Sequence, residues 1–389
     1  MLVADNTSSP QMDIQEIYSP ISSDTKSGAA RVMSEAYNES CGDWSNESIN
    51  TTIRDLVACV QRYHELNPAR FDDTDLPFVI AEFGCATGAA SVIPLKAIIT
   101  AVRKIQPEMP IQVFLNDLPE NHHSLVISTV SEGLSPFFED VFIMVAGKDF
   151  TQQVFPSGTV DFAFSNMTLM ILPLPPTPRT DNIFFLAHAD KLESEEGQEW
   201  LKGFNRHWTA FVTNRQLELR EGGQLFITTL IVDEPASAYQ LHERQFFKEV
   251  ATICLRNILK KHNLEDKMPS TLKTSVSMLK KHYTDVCDKE GIHVVSAQAY
   301  DVPDCFAFDY KKTRNSRVLG QKVAQYIRGW WEHVLEGGLA YEGVDQNLIK
   351  TVSKEMFEQL PSFISERADV YPDHYRVLAL SIDKKVRMH

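Results

Sequence analysis

The chain lacks the marks of several large protein classes. Its 389 residues contain no stretch approaching the roughly 18 apolar residues that a membrane span requires. The opening MLVADNTSSPQMD has no basic segment followed by an apolar core, so no secretory or transit peptide is expected and the setting is read as cytosolic, away from membranes. Six cysteines (Cys41, Cys59, Cys85, Cys254, Cys287 and Cys305) never fall in C-x-x-C pairs, which argues against a disulfide framework and against a zinc or other metal site. Positive charge is scarce as well. With 38 Lys and Arg against 52 Asp and Glu, the formal charge of −14 repels phosphate backbones, and no basic patch overrides it, so no nucleic-acid partner is expected. Repeats are missing, and the one biased tract is LPLPPTP, Leu172 to Pro178, a rigid extended loop.

What is present is the composition of an ordinary globule, 43% hydrophobic and 23% charged, in a chain long enough for one large elaborated domain or two. The most informative stretch is VIAEFGCATG, Val79 to Gly88. An apolar run suited to a buried parallel strand reaches Glu82 and turns into the small residues Gly84, Ala86 and Gly88, a pattern that lets backbone approach a nucleotide-type ligand. Taken alone, it is equally an ordinary strand-to-helix turn.

Around it the chain alternates. Residues 1–42 or so read as an irregular arm with at most a short helix near Arg31 to Tyr37, which Tyr37 and Trp44 could fold over a pocket. Ile53, Leu56, Val57, Val60 and Tyr63 recur at helical spacing from Ile49 to Leu66, ending at Asn67 and Pro68. A helix over Ala90 to Ile105 and a strand over Ile111 to Asp117 complete a βαβ unit. Asp117 then stands at the strand end beside the glycine loop, where it can accept from both ribose hydroxyls; as a bland alternative it caps a helix over Leu118 to Ser131. A third strand, Val141 to Gly147, leads into Asp149 and Phe150, a carboxylate and a ring suited to an adenine. Val160 to Ser165 and Gln224 to Val232, separated by a helix from Glu199 to Leu219, give the fourth and fifth strands of a doubly wound, mostly parallel sheet. Beyond Asp233, helical stretches over Ala236 to Leu264 and Lys273 to Glu290 follow one another with no strand between them. Then come a strand over Ile292 to Ala299, helices over Arg317 to Leu335 and Asn347 to Leu360, and a last strand over His374 to Ile382. This predicts an arm (1–48), a Rossmann-like core (49–235), an inserted helical cap that contributes one core strand (236–345), and a C-terminal helix and strand completing the core (346–389).

These segments in this order resemble the SABATH family of S-adenosylmethionine-dependent methyltransferases, which act on small-molecule carboxylic acids and, in some members, on purine ring nitrogens. The matching strings are IAEFGCATG from Ile80, FLNDLPEN from Phe114, GKDF from Gly147, FPSGTVDFAFSNMTLM from Phe155, LREGGQLFITTL from Leu219 and YRVLALSIDKK from Tyr375. The resemblance implies a seven-stranded class I methyltransferase core, S-adenosylmethionine as cofactor with S-adenosylhomocysteine as product, and a homodimer. It implies that Glu82, Gly84, Cys85, Ala86 and Gly88 form the cofactor loop, that Asp117 and Leu118 line the ribose, that Asp149 and Phe150 hold the adenine, and that Ser165 and Asn166 lie beside the cofactor. On the acceptor side the chain departs from the family. The family's S-Y-x-x-N-S-x-x-Q segment corresponds to Ser34 to Trp44, which offers Tyr37 but no Gln, and the family's pocket Trp falls at Ile171, while Met170 keeps its place.

Methyl transfer from a sulfonium needs alignment and dryness more than acid–base chemistry, and a carboxylate acceptor is ionised at neutral pH, so no catalytic base is assigned. Met170 and Ile171 are expected at the pocket floor. Phe246 and Phe247 are further pocket candidates, although core packing is the commoner role for such a pair. His122, His123, His207 and His242 have no spacing that favours catalysis. Three readings follow, in this order: carboxyl O-methylation of a small hydrophobic acid, N-methylation of an amine or heterocycle, and non-catalytic binding of the cofactor.

Overall fold

A computed structural model describes residues 37–136, 138–171, 195–233, 235–269 and 277–386. Residues 1–36 of the expected arm (1–48), the LPLPPTP tract and the Tyr37 side chain lie outside the described residues or side chains. Along the chain run α1 (Tyr37–Leu66), α2 (Pro68–Asp72), β1 (Phe78–Phe83), α3 (Val92–Ile105), β2 (Ile111–Asp117), α4 (His123–Leu134), β3 (Val141–Gly147), β4 (Val160–Asn166), α5 (Glu195–Glu218) and β5 (Leu219–Val232). After them come α6 (Ala238–Phe247), a π-helical turn (Lys248–Thr252), α7 (Ile253–Lys261), β6 (Met278–Leu279), α8 (Lys280–Lys289), β7 (His293–Pro303), α9 (Cys305–Thr313), α10 (Ser316–Tyr341), α11 (Gln346–Ser365) and β8 (His374–Asp383).

The sheet has the order β3-β2-β1-β4-β5-β8-β7. Its first five strands are parallel, and β8 joins β5 and β7 in antiparallel fashion. The seven expected strands are therefore all present, with one correction. The two-residue β6, between the expected cap helices, pairs parallel with Ile231 and Val232 of β5; a strand this short has no alternation to read. Strands β1 and β4 are buried along their whole length, as a parallel sheet covered on both faces requires. The side chains of β1 alternate between two cores. Phe78 and Ile80 pack with Leu56 and Val60 of α1 and Ile98 and Val102 of α3, while Val79, Ala81 and Phe83 pack with Trp208 and Phe211 of α5.

Helix α1 begins at Tyr37, twelve residues ahead of its expected start at Ile49. Its first turns are polar by sequence, and tertiary contacts override the propensity. Trp44 stacks on Tyr375 with centroids 4.2 Å apart, the Trp44 carbonyl accepts from the Tyr375 hydroxyl (2.7 Å), and Ser48 donates to Asn166 (2.8 Å). Helices α6, α7, α10 and α11 build a third apolar core, which includes Trp44, Met167, Phe246, Trp331 and Phe357. Through Trp44 and Met167 this cap core reaches the carboxyl end of β4. At the opposite end of the sheet, buried Asp161 accepts from the Tyr63 hydroxyl (2.6 Å), Arg70 Nε (3.0 Å) and the Val79 amide (2.8 Å), tying α1, α2 and β1 to β4.

Candidate cofactor and acceptor site

The carboxyl ends of β1, β2, β3 and β4 gather the predicted residues on one edge. After Phe83 the chain turns through Gly84 (φ +81°), Ala86 (φ +49°) and Gly88 (φ +84°). At Gly84 a Cβ would meet Thr168 Cγ2 at 2.2 Å, and at Gly88 one would meet Val130 Cγ2 at 2.8 Å, so both the backbone angle and the space demand glycine. Ala86 holds a left-handed conformation that costs a non-glycine residue strain, and it is pinned on both sides. Its amide donates to Asp117 Oδ2 (2.6 Å) and its carbonyl accepts from the Asn121 side-chain amide. The Gly84 and Cys85 amides donate to the Asn116 carbonyl at 2.9 and 3.1 Å, and the Asn116 side chain donates to the Ala146 and Lys148 carbonyls at 2.7 and 2.8 Å. Asn116 and Asn121 thus lock the three loops together. Sequence reading passed over both, although they stand in the same FLNDLPEN string.

Glu82 is 2% exposed, and its Oε2 has no hydrogen-bond partner; the same holds for buried Thr87 Oγ1 and Asn116 Oδ1. Burial raises the Glu82 carboxyl to about 8, with the Ser91 hydroxyl pulling it back and Asp117 adding to the rise. Burial likewise raises Asp117 to about 6, against the Leu118 and Ala86 amides, which favour its ionised form. Both Asp117 oxygens are engaged by these backbone amides, Oδ1 by Leu118 at 2.8 Å, and each keeps a further lone pair for a ligand hydroxyl. Asp117 does not cap the following helix: α4 starts later, at His123, with His122 at its N-cap. Cys85 is buried, and desolvation pushes its thiol well above the ordinary range, so it is no nucleophile.

Past β3, Asp149 Oδ1 accepts from the amide and the hydroxyl of Thr151, both at 2.8 Å. The half-buried ring of Phe150 meets Phe211 and His207 edge-on, each at 5.6 Å. On β4 the two residues expected beside the cofactor make internal hydrogen bonds. Ser165 donates to the Phe83 carbonyl (2.9 Å), and Asn166 accepts from Thr228 (2.6 Å) and Ser48 while donating to the Ser45 carbonyl (3.2 Å). Asn166 therefore joins α1, β4 and β5 directly beneath the site.

Two of the residues expected on the acceptor side, Met170 and Ile171, lie just past the end of β4. Met167 leaves the strand with φ +55°, and the half-buried Met170 packs on the cap core. Ile171 is half-buried and closes a turn onto the Thr168 carbonyl (3.0 Å). Phe246 is buried against Tyr371 (5.3 Å) and Phe247 (5.4 Å), in the same cap core as Met167 and Trp44. Asp304, which caps α9, accepts from the Ala307 amide (2.9 Å) and the Tyr371 hydroxyl (3.3 Å), and burial raises it to about 6. Nearby, burial and Asp304 raise the Glu243 carboxyl to about 8. Among the described residues no group of three or more His, Cys, Asp or Glu could hold a metal ion, and no helix is long and apolar enough to cross a membrane.

A buried carboxyl oxygen without a partner, a glycine turn and two further carboxylates on adjacent strand ends fit an adenosine-type ligand. Comparison with known proteins agrees. Residues 60–382 match the family model described as SAM dependent carboxyl methyltransferase. The chain is 20% identical over 377 residues to 7-methylxanthine methyltransferase 1 of Coffea canephora, covering 90% of this chain and 96% of that protein. A stretch of 163 residues, 39% of each chain, is 32% identical to O-methyltransferase acrG of Aspergillus aculeatus. Among solved structures, loganic acid methyltransferase with SAH superposes with a TM-score of 0.71 at 16% identity, covering 90% of this chain and 96% of that one, and shares the fold. The chain belongs to the SABATH family of carboxyl methyltransferases and is an S-adenosylmethionine-dependent methyltransferase.

Proposed function

We propose that the protein transfers the methyl group of S-adenosylmethionine to the carboxylate of a small hydrophobic molecule, giving a methyl ester. The observation that carries this reading is the character of the acceptor side. Met167, Met170, Trp44 and Phe246 gather apolar and aromatic side chains in one cluster that reaches the end of β4. A carboxylate needs no base, only exclusion of water and alignment. Glu243, whose carboxyl is raised to about 8 by burial and by Asp304, is a candidate donor to an acceptor carboxylate where the family's Gln is missing.

In this reading Glu82, Asp117 and Leu118 hold the ribose, Asp149 and Phe150 hold the adenine, and the backbone of Gly84 to Gly88 lies along the amino-acid end. Ser165 and Asn166 act by fixing the backbone under the site. When bound there, the cofactor supplies an activated methyl on a sulfonium. The chain's own residues orient the two partners and keep the interval dry. Residues 236–345 act as the cap over the acceptor, and the enzyme works in the cytosol as a homodimer.

N-methylation is the second reading, favoured by the absent Gln and pocket Trp and by the likeness to a xanthine methyltransferase. Incubation with methyl-labelled cofactor and a panel of aromatic acids, terpenoid acids, amines and purines tests both. A methyl ester releases its label as volatile methanol in mild alkali, whereas an N-methyl product retains it. Label fixed only in alkali-stable products would overturn the carboxylate reading.

A further inference from the structure

Helix α5 ends in the sequence NRQLE, in which Asn214, Arg215 and Glu218 turn inward rather than to solvent. Arg215 is completely buried, with Nε 2.8 Å from Glu218 Oε2 and Nη2 2.8 Å from Glu218 Oε1. Burying such a pair carries a desolvation cost that its own attraction barely repays, so the remaining donors and acceptors show what it is for. Arg215 Nη1 donates to the Phe150 carbonyl (2.7 Å) and Nη2 to the Gln152 carbonyl (3.0 Å). Glu218 Oε1 accepts from the Val154 and Phe155 amides, and Asn214 donates to the Thr151 carbonyl (2.8 Å). All of these fall on the segment that carries Asp149 and Phe150. The same guanidinium lies 3.9 Å over the ring of Phe83, the residue before Gly84. One charged group therefore spans from the end of β1 to the loop after β3, across the strand end that bears Asp117.

We propose that Asn214, Arg215 and Glu218 are positioning residues of the cofactor site: they set the adenine-side segment 149–155 relative to the glycine loop without touching the cofactor. This rests on the reading of Asp149 and Phe150 as the adenine holders. The segment has no helix or strand of its own; beyond its internal turn, where the Gln152 amide donates to the Asp149 carbonyl (3.0 Å) and Thr151 to Asp149 Oδ1, these α5 side chains are what tie its backbone to the rest of the fold.

Calorimetric titration of S-adenosylhomocysteine into the full chain tests this, with Asn214→Ala, Glu218→Gln, Asp149→Ala and the Asn214→Ala/Asp149→Ala double variant, each also melted without ligand. Asn214→Ala is expected to weaken binding about tenfold while the ligand-free melting temperature stays within a few degrees, and to add less than about twofold once Asp149 is removed, because coupled sites are not additive. Rescue by Asn214→Gln or Asn214→Asp is not expected, since the donor must meet the Thr151 carbonyl at this distance. Wild-type affinity in Asn214→Ala and Glu218→Gln beside a weakened Asp149→Ala overturns the proposal alone, as does full additivity in the double variant. Unchanged affinity in Asp149→Ala overturns the adenine reading and the proposal with it.

Discussion

Glu82 and Asp117 are costly to keep where they are. Each has a folded-state pKa above its unfolded value, about 8 against 4.5 and about 6 against 3.8. Their contribution to stability is therefore complete below the unfolded values and is lost as pH rises through about 6 and then about 8. A ligand that donates hydrogen bonds to the ionised carboxyls offsets that loss. The melting temperature of the free protein is expected to fall between pH 6 and 8, and the rise produced by saturating S-adenosylhomocysteine to be larger at pH 8 than at pH 6. Glu82→Gln should flatten the fall and weaken cofactor binding together. Equal ligand-induced shifts at both pH values would remove Glu82 from the site. Asp161 presents the opposite case, a buried carboxylate well supplied with donors from Tyr63, Arg70 and Val79. Asp161→Ala leaves Arg70 without its main partner and should cost about 3–5 kcal/mol in urea unfolding. Residue types at strand ends pointed to the candidate cofactor side in the sequence, because Glu82, Asp117 and Asp149 each follow an apolar run, and the sheet order brings those ends to one edge. The residues that fix those ends were not legible. Asn116, Asn121, Arg215 and Glu218 act through backbone groups distant in sequence, and only an Arg and a Glu three apart on the buried side of a helix hinted at the last pair.

At the level of elements, the glycine turn is a fitted part rather than a flexible one. A methyl group at Gly84 would sit 2.2 Å from Thr168 Cγ2 on a backbone with φ +81°, so Gly84→Ala is expected to displace Thr168, whose hydroxyl donates to the Gly84 carbonyl (3.1 Å). Cofactor affinity should fall by more than about tenfold; Ala86→Gly, which relieves a strained φ, should keep wild-type affinity and raise stability by up to about 1 kcal/mol. Calorimetry and thermal melting check both. Alternation and strand-end chemistry predicted the core elements well because a covered parallel sheet imposes them on the sequence. The misses have local causes. The polar opening of α1 is helical because Trp44, Ser45 and Ser48 bond to β8 and β4, and β6 is too short to carry a pattern. Phe246 lies in the cap core, where an aromatic pair most often goes.

For the molecule as a whole, the sheet order makes one carboxyl edge the meeting place of the glycine loop, two further acidic strand ends and the cap. The sequence pointed to that edge through motifs spread over most of the chain, while the acceptor side stayed open because its segments depart from the family pattern where substrate chemistry is decided. The division has a physical basis. A shared cofactor constrains the residues that meet it, whereas apolar packing of the kind around Met167 and Met170 places few demands on residue identity. The net charge of −14 adds a field that disfavours anionic acceptors at long range, so a carboxylate acceptor should bind more tightly as salt is raised from about 50 to 300 mM, and a neutral heterocycle should not; titration of the acceptor identified by the labelling panel reads this directly. The most direct test of the central claim is a crystal structure with S-adenosylhomocysteine. The account predicts the ligand across the carboxyl ends of β1, β2 and β3, with hydroxyls in reach of Glu82 or Asp117 and the base beside Asp149 and Phe150. A ligand seated elsewhere, for example in the 460 Å³ groove between α1 and α3 lined by Ile53, Val57, Ile93 and Lys96, would contradict it.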